Sequence, residues 1–292
     1  MGDRKNTISI SGAWALYPLT VRWAEEYKKI HPEIRIDISA GGAGKGMADV
    51  LGGLVDIGMV SREINPEELK RGALPVAVAK DAVVAVVSER NPALQDLLSR
   101  GLTVEKCINI WITGSCKTWG EAFDTNSGYP IHVYTRSDAC GAAEIWALML
   151  DSKQESLAGV GVYGDPGLAQ AVRQDSLGIG YNNIGYVFDY NTRLPVPGLK
   201  IVPLDLDNNR KISDEEFFYD SMDSMINSIT SGIYPSPPSR ELYFVLKGKP
   251  SNNKALSDFM AWALTGGQKH VREAGYVPLS VSVVASELKN LE

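Results

Sequence analysis

One pattern recurs in the N-terminal part of the chain and does most to limit the possible folds. Apolar segments typical of strands lie at Thr7–Gly12, Ile34–Ser39 and Val55–Val60, and small residues follow each of them. Helical patterns begin after the first two of these segments, at Val21 and Met47. Strands that alternate with helices predict an α/β fold. In such folds ligands bind at the carboxyl ends of the strands, so we expect these small-residue turns to gather around one ligand.

A later stretch, Val133–Trp146, has the same order and indicates the kind of ligand. Its apolar start passes through small residues into a helical pattern, and Asp138 stands where a helix N-cap is expected. The first N–H groups of a helix lack intrahelical partners and carry partial positive charge, so they can bind an anion. Arg136 would add a planar, permanently charged group suited to an oxyanion. The alternative is an ordinary capped helix beside a surface arginine.

The glycine-rich loop at residues 40–46 does not indicate nucleotide binding. Its sequence, AGGAGKG, lacks the Gly-Lys-Ser/Thr ending of a phosphate loop and the glycine spacing of a dinucleotide-binding fingerprint. We therefore interpret it as a turn that feeds a helix at Met47.

Composition excludes several classes of protein. The chain has 292 residues, which is enough for about two domains, and 44% of its residues are hydrophobic. Its net charge of −6 argues against a nucleic-acid or anionic-membrane partner. No apolar run approaches the roughly 20 residues that a membrane-spanning helix needs. The N-terminal residues lack the apolar core of a signal peptide, so we expect either a cytosolic protein or the mature part of an exported one.

Three cysteines are too few for a disulfide scaffold. Cys107 and Cys116 flank a short apolar segment and could close a small loop, whereas Cys140 lies within Val133–Trp146. The alternative, slightly favoured, is that all three are buried and inert thiols.

The succession of motifs resembles the phosphate-binding component of phosphate ABC importers, one of the type II periplasmic solute-binding proteins. Each motif alone is weak, but their shared order covers nearly the whole chain. The motifs are SGAWALYPL (Ser11–Leu19), GGAGKG (Gly41–Gly46), VDIGMVSREI (Val55–Ile64), TRSDACGA (Thr135–Ala142), GIGY (Gly178–Tyr181), RELYFVLKGKP (Arg240–Pro250) and GGQKHVREAGYVPL (Gly266–Leu279).

The resemblance implies two α/β domains with a ligand cleft between them. Domain I would comprise residues 1–88 and 238–292, and domain II residues 89–237. The implied function is extracytoplasmic solute binding for an ABC importer, with phosphate or a related oxyanion as ligand and no catalysis. The implied partners are the membrane subunits of the transporter. We also expect a monomer that is periplasmic or anchored at the cell surface, with the export signal absent from the sequence given.

The resemblance also implies a set of binding residues. Arg136 and Asp138 match the arginine and aspartate that flank the anion in the family, while Ser61 and Arg62 lie at the end of a strand that faces it. The full expected set is Ala13, Trp14, Ala15, Ala43, Gly44, Ser61, Arg62, Arg136, Asp138, Cys140, Gly141 and Ala142.

Several of these positions depart from the family, which usually offers hydroxyl groups there. A hydrogen bond to a charged group contributes on the order of 1.5–3 kcal/mol, so the loss of several predicts weaker phosphate binding unless other groups replace them. Trp14 could instead favour a larger, partly organic anion or simply pack in the core, and Cys140 a thiol-seeking solute such as arsenite. The departures are Ala13, Trp14, Ala15, Ala43, Cys140 and Ala142.

A second motif, at residues 205–216, matches the calcium-binding loop of an EF-hand. Oxygen-bearing side chains at alternating positions let one looped segment surround a hard cation. Arg210 stands where glycine is expected, which weakens binding by about 1 kcal/mol because a left-handed conformation is costly for other residues. We expect an exiting helix from Glu215 and a structural Ca²⁺, with a solvated acidic turn as the alternative. The expected ligands are Asp205, Asp207, Asn209, the Lys211 carbonyl, Ser213 and Glu216.

The main rival function is a hydrolase or transferase acting on a phosphorylated compound. Against it, the histidines His31, His132 and His270 are scattered and accompany no serine or cysteine nucleophile motif. His132 and Cys140 could meet, because one predicted strand carries both. We expect no organic cofactor.

Overall fold

The computed structural model describes residues 6–250 and 253–292, which divide into two compact units. Unit 1 contains the chain as far as Asp81, then Ala139–Gly141 and Arg240–Glu292. Unit 2 contains Ala82–Asp138 and Ala142–Ser239. The N-terminal residues used in the signal-peptide argument lie, apart from Asn6, outside the described residues.

The fold is of the predicted α/β class, and both units contain strands. They are β1 (Thr7–Gly12), β2 (Arg35–Ala40), β3 (Ile57–Val60), β4 (Ala73–Ser88), β5 (His132–Arg136), β6 (Val160–Val162), β7 (Gly178–Asn183), β8 (Leu199–Val202) and β9 (Ser239–Lys247).

Helices separate most of these strands along the chain. They are α1 (Tyr17–Ile30), α2 (Ala43–Leu51), α3 (Pro66–Lys70), α4 (Leu94–Arg100), α5 (Val104–Trp111), α6 (Trp119–Phe123), α7 (Gly141–Met149), α8 (Gly164–Gln174), α9 (Met222–Ser231), α10 (Lys254–Leu264), α11 (Lys269–Glu273) and α12 (Val281–Leu291). None of the described helices is both long and apolar enough to cross a lipid bilayer.

The sheet of unit 1 has the strand order β2-β1-β3-β9-β4. Strand β1 runs parallel to both β2 and β3, whereas β9 runs antiparallel to β3. The carboxyl ends of β1 and β3 therefore lie at the same edge, as the sequence predicts.

Unit 2 is built on a sheet in which β4, β7, β5 and β6 follow one another and β8 pairs with β4. Strand β7 is antiparallel to β4, and β5 is parallel to both β6 and β7. Strand β5, which ends at Arg136, is thus an inner strand of this sheet.

Strand β4 explains why the domain boundary differs from the expected one. The chain passes from unit 1 to unit 2 between Asp81 and Ala82, in the middle of this long strand, rather than after Ser88. Its apolar residues are buried along its length, so the sequence has no composition change at which to locate the passage. The return passage lies between Ser239 and Arg240, at the start of β9.

Predicted and observed element boundaries differ most where helices begin. Helix α1 begins at Tyr17 rather than Val21, because Pro18 lies in the first turn, where proline needs no hydrogen-bond partner. Helix α2 begins at Ala43, inside the glycine-rich loop, rather than at Met47. The sequence analysis did not find the C-terminal helix α12, whose residues pack only partly against the core of unit 1.

Close packing accounts for the glycine at position 46 in α2. A Cβ atom on Gly46 would lie 2.5 Å from the Met59 carbonyl oxygen and 2.8 Å from the Gly12 Cα atom. Helix α2 therefore approaches the backbone of β1 and β3 as closely as a glycine allows. The glycine at position 46 serves this contact between helix and sheet.

We expect Gly46→Ala to lower the free energy of unfolding by about 2–4 kcal/mol, because the added methyl group forces α2 away from the sheet. Chemical denaturation measures the change. Gly128→Ala is the matched control, since a Cβ there meets nothing within 4 Å, and its effect should stay within about 0.5 kcal/mol. Equal stability of the two variants would contradict this account of Gly46.

Candidate functional site

The first part of the candidate site is a set of turns at the carboxyl ends of β1 and β3 in unit 1. The Ala13 N–H donates to the Met59 carbonyl at 2.9 Å, which ties the turn after β1 to the last part of β3. The residues Trp14–Leu16 then form a short 3-10 turn that leads directly into α1. Ser61, the residue after β3, is 2% exposed.

The start of α2 is attached to the same edge. The N–H groups of Gly41 and Gly42 both donate to the Gly12 carbonyl, at 2.9 and 3.1 Å. Gly42 precedes the helix with φ of 90°, a left-handed conformation that favours glycine, and has no side chain that could cap the first N–H groups. Ala43 and Gly44 therefore begin α2 next to the turn that contains Ala13.

The segment Ala139–Gly141 also packs in unit 1, although the residues on either side belong to unit 2. The Gly44 N–H lies 3.5 Å from the Ala139 carbonyl oxygen. A Cβ atom on Gly141 would overlap the Ser61 backbone, so a glycine is required at this contact. The structure thus gathers in unit 1 most of the small residues that the sequence predicted as ligands.

Alanine methyl groups occupy positions where the family usually offers hydroxyl groups, and these methyl groups are buried. The side chains of Ala13, Ala15, Ala43 and Ala142 are each at most 2% exposed. Trp14 is half-buried and lies beside Tyr17, with ring centroids 6.1 Å apart, so it is not one of the fully buried core residues. Cys140 is buried.

The second part of the candidate site is Arg136, at the end of β5 in unit 2. Its side chain is 1% exposed and contacts two carboxylates. Arg136 Nε and Nη2 donate to the two oxygens of Asp138 at 2.9 and 2.6 Å. Arg136 Nη1 lies 2.8 Å from Asp165 Oδ2. A buried charge needs such partners, because unpaired burial of an ion costs several kcal/mol.

Asp138 does not cap the following helix, so the expected N-cap position is wrong. Helix α7 begins at Gly141. The Asp138 carboxylate instead holds Arg136 and accepts from the Gly164 N–H at 3.2 Å, at the start of α8. The Asp138 carbonyl accepts from Gln154 Nε2 at 2.8 Å. The short spacing from Arg136 lets the arginine and the aspartate form a local pair, and this competes with capping.

Asp165 is the residue that the sequence analysis missed. It is 2% exposed, and its Oδ1 atom accepts from Asn183 Nδ2 at 2.7 Å. Asn182 Nδ2 donates to the Asp165 carbonyl at 2.9 Å. No motif marks this aspartate. The available signal was chemical, because a buried charge is costly unless it is paired.

Arg62 is fixed by a carboxylate of its own unit. Its two terminal nitrogens donate to the Glu68 carboxylate at 2.9 and 2.6 Å, and Glu68 also accepts from the Asn65 N–H at the start of α3. Burial raises the pKa of Glu68, but the bonds from Arg62 and Asn65 outweigh it and lower that pKa overall. In this arrangement Arg62 orders the turn after Ser61.

The EF-hand-like loop of unit 2 brings three of its predicted carboxylates together. Single oxygen atoms of Asp205, Asp207 and Glu216 lie within 4.8 Å of one another. Asp205 and Glu216 are buried, whereas Asp207 is exposed. Burial raises the pKa of Asp205, and the nearby Asp207 and Glu216 raise it further. Hydrogen bonds from backbone N–H groups lower this pKa only in part, so the overall shift is upward. A cation would favour the charged forms of all three carboxylates.

The remaining predicted ligands follow the same loop. Asn209 Nδ2 donates to Asp207 at 2.7 Å, Asn209 Oδ1 accepts from the Lys211 N–H at 2.8 Å, and Ser213 Oγ contacts Glu216 at 3.0 Å. Arg210 has φ of 65°, the left-handed conformation expected at the glycine position. The expected exiting helix is wrong, since α9 begins only at Met222.

Contacts outside the loop hold it in place. The Ile212 N–H donates to the Ser99 carbonyl at 2.9 Å, and the Ile212 side chain lies against Gly101. Arg210 forms an ion pair with Asp124 at 2.8 Å. The strand β8 precedes the loop, as predicted.

The cysteines are buried, and the histidines contact carboxylates. None of the three cysteines forms a disulfide, so the disulfide alternative is wrong for Cys107 and Cys116. Burial raises the pKa of Cys107 to about 12, which disfavours a thiolate. Each histidine contacts a carboxylate: His31 with Glu33, His132 with Asp175 and His270 with Glu273.

These features agree with comparisons with known proteins. A family model described as the PBP superfamily domain matches residues 2–266. The chain therefore belongs to the PBP superfamily, and the predicted resemblance is confirmed.

Curated relatives cover nearly the whole chain. The phosphate-binding protein PstS of Pseudomonas aeruginosa is 29% identical over 97% of this chain and 86% of its own length. The phosphate-binding protein PstS of Methanocaldococcus jannaschii is 25% identical over 96% of this chain and 85% of its own length.

Solved structures support the fold at lower identity. A substrate-binding protein of Clostridium perfringens, assigned to phosphate ABC transport and crystallised with phosphate, has a TM-score of 0.76 at 23% identity and covers 94% of this chain and 100% of its own. An ABC-type phosphate transport receptor from Vibrio cholerae has a TM-score of 0.67 at 20% identity, with 93% and 100% coverage. The predicted type II periplasmic-binding-protein fold is confirmed.

We expect Asp165→Asn to lower the free energy of unfolding by about 3 kcal/mol, because it removes one of two carboxylates from a buried guanidinium. Urea denaturation at neutral pH measures the loss. Asp258→Asn is the control, since Asp258 pairs with Lys254 at an exposed position and should contribute less than about 1 kcal/mol. A loss for Asp165→Asn no larger than for the control would show that Asp138 alone suffices for Arg136.

Proposed function

We propose that this chain is an extracytoplasmic solute-binding protein of an ABC importer and that its ligand is phosphate or a related oxyanion. The observation that carries the proposal is the fixed guanidinium of Arg136, held by Asp138 and Asp165 immediately before the segment Ala139–Gly141. That segment packs on the start of α2 at Gly44 and on Ser61 after β3, both in unit 1. A fixed guanidinium therefore directly precedes, along the chain, a segment of small residues of the kind that the sequence analysis assigns to anion binding.

The relatives support the choice of ligand. Both curated relatives described above carry the name phosphate-binding protein, and the similarity to each extends over nearly the whole chain. By analogy, the membrane subunits of an ABC transporter are the protein partner, and the periplasm or the cell surface is the location. The ligand-binding residues of this chain are those predicted from its sequence.

The chemistry of the predicted site favours moderate affinity. Buried methyl groups of Ala13, Ala15 and Ala43 replace hydroxyl donors, and the Cys140 thiol is a weak donor. Backbone N–H groups then supply most of the hydrogen bonds to the anion. We infer binding weaker than in a relative with a full set of hydroxyl donors, with phosphate still preferred to neutral solutes.

A binding protein explains these features better than an enzyme does. Each of the three histidines contacts a carboxylate, which is not the pairing of a base with a serine or cysteine nucleophile. The relatives are named for binding and transport of phosphate. Catalysis is therefore not part of the proposal.

We also propose that the loop at residues 205–216 binds a structural Ca²⁺. Its sequence follows the EF-hand pattern at positions one, three, five, nine and twelve, and three of its carboxylates converge. Arg210 already adopts the left-handed conformation that the loop needs at the sixth position. The ion would stabilise the segment that is anchored on Ser99 and Gly101.

We expect phosphate to bind to the purified chain in isothermal titration calorimetry and Gly44→Asp to weaken this binding at least tenfold, by roughly 1.4 kcal/mol or more, because the new carboxylate repels an anion at the start of α2. An acidic residue is favourable at a helix N-terminus, and the new Cβ lies 3.3 Å from the Ala139 side chain, a tight contact, so the folded state of the variant is checked by urea denaturation.

Gly128→Asp is the matched control, because a Cβ there meets nothing within 4 Å. It should leave the phosphate affinity unchanged. Sulfate and a neutral sugar serve as comparison ligands. No binding of phosphate at millimolar concentration would contradict the proposal, and so would equal affinities of the two variants.

We expect millimolar Ca²⁺ to raise the melting temperature above that in excess chelator, because an ion that binds only the folded state stabilises it. Asp207→Ala should abolish most of the rise by removing an exposed ligand, whereas Asp214→Ala, at an exposed position in the same loop that contributes no ligand, should retain it. Differential scanning calorimetry measures both. The same melting temperature with chelator and with Ca²⁺ in the native chain would exclude the site.

A further inference from the structure

The edge strand of unit 1 presents an unusual pattern of side chains. Within the part of the chain that the structure describes, β2 pairs with β1 alone and stands at the end of the strand order. A groove of about 570 Å³ runs beside it, and Val21, Ala24, Glu25 and Lys28 of α1 line its other side. An open edge of this kind can pair with another strand.

The sequence of this edge is symmetric about Ile36. It reads Ile-Arg-Ile-Asp-Ile from Ile34 to Ile38. Successive side chains of a strand point to opposite faces, so within β2 Arg35 and Asp37 share one face and Ile36 and Ile38 share the other, while Ile34 directly precedes the strand. The Arg35 and Asp37 side chains are 74% and 49% exposed and form an ion pair at 2.8 Å. The isoleucines face the side on which α1 packs.

Antiparallel pairing of this strand with a copy of itself, centred on Ile36, brings opposite charges together. Ile36 then lies opposite Ile36 of the second copy, and Arg35 lies opposite Asp37 of the second copy on both sides of the centre. Ile34 lies opposite Ile38 in the same way. Each arginine exchanges an aspartate of its own strand for one of the second copy, so the charges do not oppose pairing.

We propose that two copies of this chain associate through β2 in this antiparallel register. The unit 1 sheets of the two copies then form one continuous sheet. Charged residues usually protect an open edge from pairing with another strand, but in this register each arginine lies opposite an aspartate. The groove beside α1 would receive the apolar face of the second copy. This departs from the expectation of a monomer, because β2 lies at an edge of the sheet.

The association is weak. The paired segment is only five residues long, from Ile34 to Ile38, and contacts of this size fall at the low end of protein–protein interfaces. We expect dissociation constants from about 10 μM to about 1 mM, so the dimer forms in concentrated solution. The turn that begins at Gly41 lies beyond the paired segment and stays uncovered by it.

Sedimentation velocity over a concentration series tests the proposal. The native chain should shift reversibly towards twice the monomer mass. Arg35→Asp places aspartate opposite aspartate, and Asp37→Arg places arginine opposite arginine, so each variant alone should dimerise at least tenfold more weakly. An equimolar mixture of the two variants should regain native affinity, because every opposed pair is again Asp with Arg.

The mixture separates loss of pairing from loss of folding, since a misfolded variant cannot restore it. A native chain that stays monomeric up to about 1 mM overturns the proposal. Single variants that dimerise as well as the native chain overturn it also, and so does a mixture that stays monomeric while the native chain dimerises.

Crosslinking tests the register. Ile36→Cys puts two thiols opposite each other at the centre, where cross-strand Cβ atoms lie about 4.5–5.5 Å apart, so mild oxidation should yield a covalent dimer. Ser39→Cys is the control, because its two copies lie at opposite ends of the paired segment and should not crosslink. Crosslinking of Ser39→Cys in preference to Ile36→Cys would exclude this register.

Discussion

The buried ion pairs of Arg136 are the constraint on which the candidate site depends. The guanidinium lies between Asp138 and Asp165 with its side chain 1% exposed, so its position is set before any ligand arrives. Two carboxylates offset its charge and would make this group alone a poor attractor of anions. Its value lies in rigidity, because a preorganised donor loses little entropy when a ligand binds. In the proposed site, backbone N–H groups supply the remaining attraction.

The sequence predicted the fold well because the relevant signals are local. Alternating strands and helices, and the small residues after β1 and β3, need only a few neighbouring residues to be recognised. Asp165 could not be found in this way, because its partner Arg136 lies on a distant part of the chain and a single aspartate has no pattern. Asp138 was assigned to a cap for the related reason that capping and local ion pairing require the same residue type. The choice between them depends on where α7 begins.

The domain boundaries and the loop at residues 205–216 show the same limit of prediction from local sequence patterns. The passage between units falls inside β4, because one continuous buried strand contributes to both sheets, and no change of composition marks the point. In the loop at residues 205–216, the spacing of oxygen-bearing side chains predicted the convergence of carboxylates. The exiting helix was predicted from propensity alone and is absent from residues 215–220, where the chain turns towards Met222. Spacing fixes which atoms can meet more reliably than propensity fixes the flanking structure.

The substitution of methyl groups for hydroxyl groups separates two properties that are usually combined. Hydroxyl donors supply directed hydrogen bonds, and the removal of several lowers affinity, whereas the backbone geometry that admits an anion depends on glycines and on close packing. Gly46 and Gly141 retain that geometry, since side chains at either position would overlap the backbone of β3 or Ser61. In the proposed site, close backbone packing is therefore combined with few side-chain hydroxyl donors. Such a site would favour solutes that are recognised by their charge and shape over solutes that are recognised by the number of hydrogen bonds they form.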